Sequence, residues 1–114
     1  PGTHINAIGA DAAGKQELEP QLLQEGLIVV DDIYQATHAG ELNVSFSTGI
    51  FTANLIYATL GEITSRQKSG RPDNQTITIF DSTGLAIQDI ACAKLIYEKA
   101  KASGAGQFVD LIQY

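Results

Sequence analysis

The sequence predicts an α/β domain with a mainly parallel sheet, and three observations carry that expectation. Strand-like and helix-like segments alternate along the chain, the order that parallel sheets with helical crossovers require. Leu27–Val30 is an uninterrupted apolar run halted by Asp31-Asp32, as expected of a parallel strand buried on both faces. Residues 76–100, TITIFDSTGLAIQDIACAKLIYEKA, read as a strand, a tight polar turn and a long helix. Open α/β sheets bind ligands in crevices at the carboxyl ends of their strands.

Taken in order, residues 1–9 alternate around Ile5 and Ala7 and predict a short strand, which runs into the turn Gly9-Ala10-Asp11-Ala12-Ala13-Gly14. Residues 17–25 predict a helix, with Pro20 tolerated in its first turn and Gly26 placed as its stop. The apolar strand comes next. Residues 32–38 can form a helical turn, and residues 41–46 are ambiguous. Thr52 is a plausible cap for a helix over 53–67, with Leu55, Ile56, Leu60 and Ile63 at helical spacing. KSGRPDNQ, residues 68–75, predicts a surface loop. After the central strand and helix, Gly104 and Gly106 break the chain, and residues 107–112 alternate like a final strand. The whole of 1–114 is expected to form one domain, closing with that helix and short strand.

Composition narrows the function. Thirteen acidic residues against seven basic ones give a formal charge of −6, with the basic residues scattered, so no nucleic-acid footprint is expected. A single cysteine cannot form an internal disulfide, and no apolar run approaches the ~20 residues needed to span a bilayer. A soluble, cytoplasmic protein with no membrane partner is expected. Two histidines, far apart, with no Cys/His spacing, predict no metal site. The chain begins at Pro1 and lacks Met, as expected of a chain that lost its initiator or of a piece of something longer.

Two turns sit at the carboxyl ends of predicted strands, 9–15 and 81–84, and both should open on the same edge of the sheet. GADAAGK in the first also satisfies the phosphate-loop pattern G-x-x-x-x-G-K. Against that reading, Gln16 stands where a metal-binding Ser or Thr belongs, and Pro20 interrupts the helix that should start near Gly14. The dinucleotide fingerprint G-x-G-x-x-G is absent from the chain.

The strings THINAIGADAAGKQEL, IVVDD, Gly40-Glu41-Leu42-Asn43-Val44, LGEI and TIFDSTGLAIQD, in this order, closely resemble the C-terminal part of the ornithine cyclodeaminase, mu-crystallin and archaeal alanine dehydrogenase family, the alanine dehydrogenase branch most nearly. The resemblance runs over nearly the whole chain. It implies a partial Rossmann-like, three-layer fold: the second half of an NAD-binding domain, plus the tail that returns to a substrate and dimerisation domain. It implies further that Asp11 holds the catalytic carboxylate position beside the substrate carbon and the nicotinamide. Gly9, Ala10 and Lys15 would lie near the cofactor, and Ser82 would touch its nicotinamide side, with Thr83 and Gly84 shaping the turn. A carboxylate in a partly desolvated turn, tuned by nearby cations, can accept a proton as hydride leaves an α-carbon. Where the family usually has Pro, this chain has Ala13, which loosens the loop.

The same residues have plainer readings. Asp11 can satisfy its own turn, Lys15 can be a solvated lysine at a helix start, and Ser82 or Thr83 can cap the helix after it. On that helix Asp89 and Cys92 fall in the apolar sector, predicting a buried hydrogen-bonding anchor and a small core residue. Asp31-Asp32 ends a strand and caps the helical turn after it, and Asp81 is structural.

Two functions therefore stand. The chain is a fragment or truncated member of an NAD-dependent enzyme acting on a small α-amino acid by hydride transfer, inactive alone because the glycine loop and substrate domain are not in it. Alternatively, it is a non-catalytic, self-associating or partner-binding domain derived from that family. In either case a bare sheet edge predicts a homo-oligomer or a complementing N-terminal part.

Overall fold

The computed structural model describes residues 1–109, which fall into two compact units divided after Gly84. The first unit holds four strands, β1 (His4–Ala7), β2 (Leu27–Val30), β3 (Ile56–Thr59) and β4 (Thr78–Asp81), in the order β1-β4-β2-β3. Each neighbouring pair is parallel. Four short helices connect them: α1 (Pro20–Glu25), α2 (Ile33–His38), α3 (Asn43–Ser47) and α4 (Leu60–Thr64). Ile28 and Val30 of β2, Ile79 of β4 and Ala7 of β1 point to one face of the sheet, where Leu23, Ala36, Leu42 and Phe51 from the helical segments complete a core. The opposite face lines a recess of about 460 Å³ between Leu27, Val29 and Phe80 on the strands and Leu60 and Ile63 of α4. Helical segments thus flank both faces of a parallel sheet, the predicted fold class.

Local chemistry explains most boundaries. Pro20 stands in the first turn of α1 and Gly26 ends it, its N–H donating to Leu22 O. Asp32 caps α2, accepting from Gln35 N at 2.8 Å. β2 is buried only at alternate positions, Leu27 and Val29 being half-buried. Its expected burial on both faces is corrected by the recess, which leaves the second face partly open.

The helix expected over 53–67 is not formed. Ala53–Leu55 is a single 3₁₀ turn, Ile56–Thr59 is strand β3, and helix begins only at Leu60. Thr52 makes no side-chain cap. The β-branched and aromatic pair Ile56-Tyr57 prefers a strand, and β2 supplies a partner for its backbone. Thr59 then starts α4 through a capping box, its hydroxyl accepting from Glu62 N while Glu62 Oε2 accepts from Thr59 N at 2.8 Å.

The second unit contains helix α5 (Ala86–Ser103), closed by Gly104 in the left-handed region (φ 68°) with its N–H directed at the carbonyls of Ala100 and Lys101. Its N-cap is Leu85, without a side-chain bond, so neither Ser82 nor Thr83 caps it. Cys92 and Asp89 are exposed, and no α5 residue is buried. Helical spacing identifies which residues share a sector; it does not supply a surface to cover them. Asp89 instead lies in the first turn, where the helix dipole favours an anion. Residues 107–109 are not strand, and the rest of the expected final strand lies outside the described residues.

Candidate active site

Strands β1 and β4 are direct neighbours in register, with Ala7 opposite Asp81. Because they run parallel, the segments leaving them depart from the same rim. Ser82 N–H donates to Ala7 O at 3.0 Å, which ties the start of one loop to the last residue before the other. The loop carrying Gly9, Ala10, Asp11 and Lys15 and the turn carrying Ser82, Thr83 and Gly84 are thus brought together.

The first loop is long and makes few bonds of its own. Lys15 N donates to Ala12 O at 3.1 Å, and Gly14 takes φ 86°, where a side chain would be strained. Ala10 is buried, whereas Gly9 is exposed and its N–H donates to Glu17 Oε2 at 3.0 Å. Asp11 is exposed and its Oδ1 accepts from Lys15 Nζ at 2.5 Å. That ammonium, through its hydrogen bond and its charge, holds the Asp11 carboxyl below the usual carboxylate range. The expected partial desolvation of Asp11 is not found in this chain; the expected nearby cation is. Residues 15–19 are not helical, so no helix N-terminus points at this loop and the phosphate-loop reading fails on geometry.

The groups that hold the loop were not singled out from the sequence. Glu41 is fully buried, and its carboxylate accepts from Glu17 N (2.9 and 3.1 Å) and Leu18 N (2.7 Å). Burial raises its pKa, and those two amides act against the rise. Asn43, also buried, accepts from Gly14 N at 2.8 Å and donates to Lys15 O at 2.7 Å and to Gly40 O at 2.6 Å. Asp81 in turn accepts from Glu41 N at 3.1 Å. Its second oxygen is buried without a partner, and burial, with Asp31 and Glu41 nearby, pushes its pKa up to about 6. The signal available in the sequence was Glu41 and Asn43 alternating with Leu42 and Val44, where polar side chains next to apolar ones must find partners.

The second loop is a tight turn. Asp31, at the end of β2, accepts from Thr83 N at 2.7 Å and from Thr83 Oγ1 at 2.8 Å, with Ser82 Oγ at 3.5 Å. Gly84 has φ 76°, and nothing would contact a Cβ there. The turn is anchored from behind by Asp31 and remains open beside Gly84.

A parallel sheet that gathers two polar loops at one strand-end rim is the architecture of dinucleotide-binding domains. The sequence pattern defining the ornithine cyclodeaminase/mu-crystallin family matches residues 1–104, and the chain belongs to that family. It is 54% identical over 112 residues to an alanine dehydrogenase of Archaeoglobus fulgidus, covering 98% of this chain and 35% of that protein. The solved dimer of an archaeal alanine dehydrogenase with bound NAD superposes with a TM-score of 0.84 at 51% identity, covering 97% of this chain and 35% of that one. The Δ1-pyrroline-2-carboxylate reductase of Thermococcus litoralis, in complex with NADH and L-proline, superposes at 0.82 with 38% identity, covering 95% and 34%. The chain therefore spans about 35% of the length of such relatives. Among the described residues no helix is long and apolar enough to cross a membrane.

Proposed function

We propose that residues 1–114 act as one domain of an NAD-dependent enzyme that handles a small α-amino acid or its imine, and that the two loops form half of its nicotinamide pocket. The adjacency of the loops on the β1–β4 rim supports this reading most strongly. The rim also fits such a group, since Gly84 leaves open space beside the turn and Asp31 occupies its far side. When bound, NAD accepts hydride from the α-carbon of the substrate.

In this reading Asp11 is the catalytic carboxylate. It takes a proton from the amine as the α-carbon loses its hydride to form the imine, or afterwards from the water that adds to that imine. Lys15 keeps Asp11 anionic, while its charge also lowers the basicity of that carboxylate. Gly9 and Ala10 keep the loop thin, and Ser82, Thr83 and Gly84 present the turn to the nicotinamide side. A cytoplasmic location goes with this chemistry.

In the full-length protein carrying this segment, Asp11→Asn should lower kcat by about 10²–10⁴, the usual contribution of a positioned acid–base group, with NAD affinity kept. Full turnover by that variant would refute the assignment. Calorimetry on the isolated chain should show no saturable micromolar NAD binding, because it has no G-x-G-x-x-G cradle.

A second reading has its own support. β1 is a terminal strand of the sheet, hydrogen-bonded to β4 on one side, and such an edge can pair with another chain. The domain would then self-associate, or complement a separate N-terminal part, without turnover. Light scattering should report a dimer or larger; a monomer counts against this reading.

A further inference from the structure

The segment Gly40-Glu41-Leu42-Asn43 is buried and lies against both loops of the candidate site. Asn43 and Glu41 are both buried, and among the described residues every hydrogen bond their side chains make is to backbone. Four of the amide and carbonyl groups so engaged belong to the loop that carries Asp11: Gly14 N, Lys15 O, Glu17 N and Leu18 N.

The segment is fixed in its turn to the strand ends. Glu41 N–H donates to Asp81 Oδ1, and Gly40 sits so tightly that a Cβ there would meet Asp81 Oδ2 at 2.7 Å and Thr83 Cγ2 at 2.8 Å. One side of this segment therefore meets the Ser82 turn and the end of β4, and its other side grips the Asp11 loop. The loop's own bonds are few, chiefly Lys15 N to Ala12 O, Gly9 N to Glu17 Oε2 and the Asp11–Lys15 pair, and Glu41 and Asn43 add the ties that join residues 14–18 to the strand ends.

We propose that Glu41 and Asn43 are positioning residues that set the distance between Asp11 and the Ser82 turn by holding the backbone of residues 14–18 against the end of β4. The inference rests on the reading of Asp11 as the catalytic carboxylate. Asn43 is the more informative of the two, because its contacts flank Lys15, the ion-pair partner of Asp11. Removing its side chain frees that stretch of loop, and misplacement of a reacting group by about 1 Å costs on the order of 10²-fold in rate.

The test uses the full-length protein and four variants: Asn43→Ala, Asn43→Asp, Asp11→Asn and Asp73→Ala, which removes a carboxylate that accepts from Gln75 N and Thr76 N at the opposite end of β4. Asn43→Asp keeps an acceptor for Gly14 N but loses the donor to Lys15 O. Asn43→Ala should lower kcat by about 10- to 100-fold, with the KM for NAD unchanged and a larger primary deuterium isotope effect on kcat as hydride transfer becomes limiting. Asn43→Asp should fall between it and the parent. Asp73→Ala loses stability but should keep kcat, which separates positioning from general weakening of the fold.

If Asp11→Asn is inactive while folded Asn43→Ala turns over normally, the positioning role fails and the assignment of Asp11 survives. If Asp11→Asn is fully active, both fail. Should Asn43→Ala not fold, amide exchange in the parent decides: slow exchange at Gly14, Glu17 and Leu18 supports the proposal, and exchange as fast as in an open loop overturns it.

Discussion

The two loops that leave β1 and β4 side by side are held in contrasting ways. The turn at 82–84 is short and is secured by Asp31, which lies on the neighbouring strand end and reaches both the backbone and the hydroxyl of Thr83. The loop after β1 is long, and its shape comes from Glu41 and Asn43, which lie between β2 and β3 in the chain. A short turn inherits its geometry from the strands that flank it. A long loop has to borrow its geometry, so a change remote in sequence should disturb it as much as a change within it.

That contrast can be broken first at Glu41. Glu41→Ala removes a buried carboxylate that serves two backbone amides, and unsatisfied buried donors cost about 1–3 kcal/mol each. Unfolding in denaturant should show a loss of about 2–4 kcal/mol, with residues 14–18 losing amide protection before the sheet does. A loss below about 0.5 kcal/mol, the size of an ordinary surface effect, would mean the loop is self-supporting.

The next largest effect is a pH dependence centred on Asp81. Its folded-state pKa is pushed up to about 6 from 3.8, first by burial and then by Asp31 and Glu41. The folded protein therefore keeps a proton that the unfolded chain releases, and the contribution of Asp81 to stability is full below about pH 4 and is lost as pH rises through about 6. At ~1.4 kcal/mol per pKa unit, the loss should be on the order of 3 kcal/mol. Asp81→Asn should flatten that slope, and an unchanged slope would assign it to other groups. The smallest effect is expected at the turn. Asp31→Ala should destabilise by about 1–2 kcal/mol and speed amide exchange at Thr83 while leaving Gly14 protected. Equal loosening of both loops would erase the distinction between them.

The parallel sheet was legible because its strands are apolar and bounded by polar turns, and because Gly26, packed closely against Ile79, and Gly104, in the left-handed region, mark helix ends. β3 was not, since Leu55, Ile56, Leu60 and Ile63 satisfy helical spacing by coincidence while parallel pairing with β2 decides the outcome. The helix that does form starts at Thr59, through a capping box with Glu62, in place of the cap expected at Thr52. At the candidate site, Asp11 and Ser82 could be assigned from resemblance, and the rim that joins their loops comes from strand adjacency. Glu41 and Asn43 were harder to read, because their partners are backbone groups of a distant loop, which carry no residue signature. Cys92 and Asp89 show the converse, a helical sector correctly grouped but wrongly assumed to be covered.

The central claim is that the loop around Asp11 and the turn around Ser82 face one nicotinamide together. The direct measurement is an NMR titration of the ¹⁵N-labelled full-length protein with NAD. The amides of Gly9, Asp11 and Lys15 should shift along one binding curve with those of Ser82, Thr83 and Gly84. Shifts at one loop without the other, or confined to the opposite ends of the strands, would contradict it.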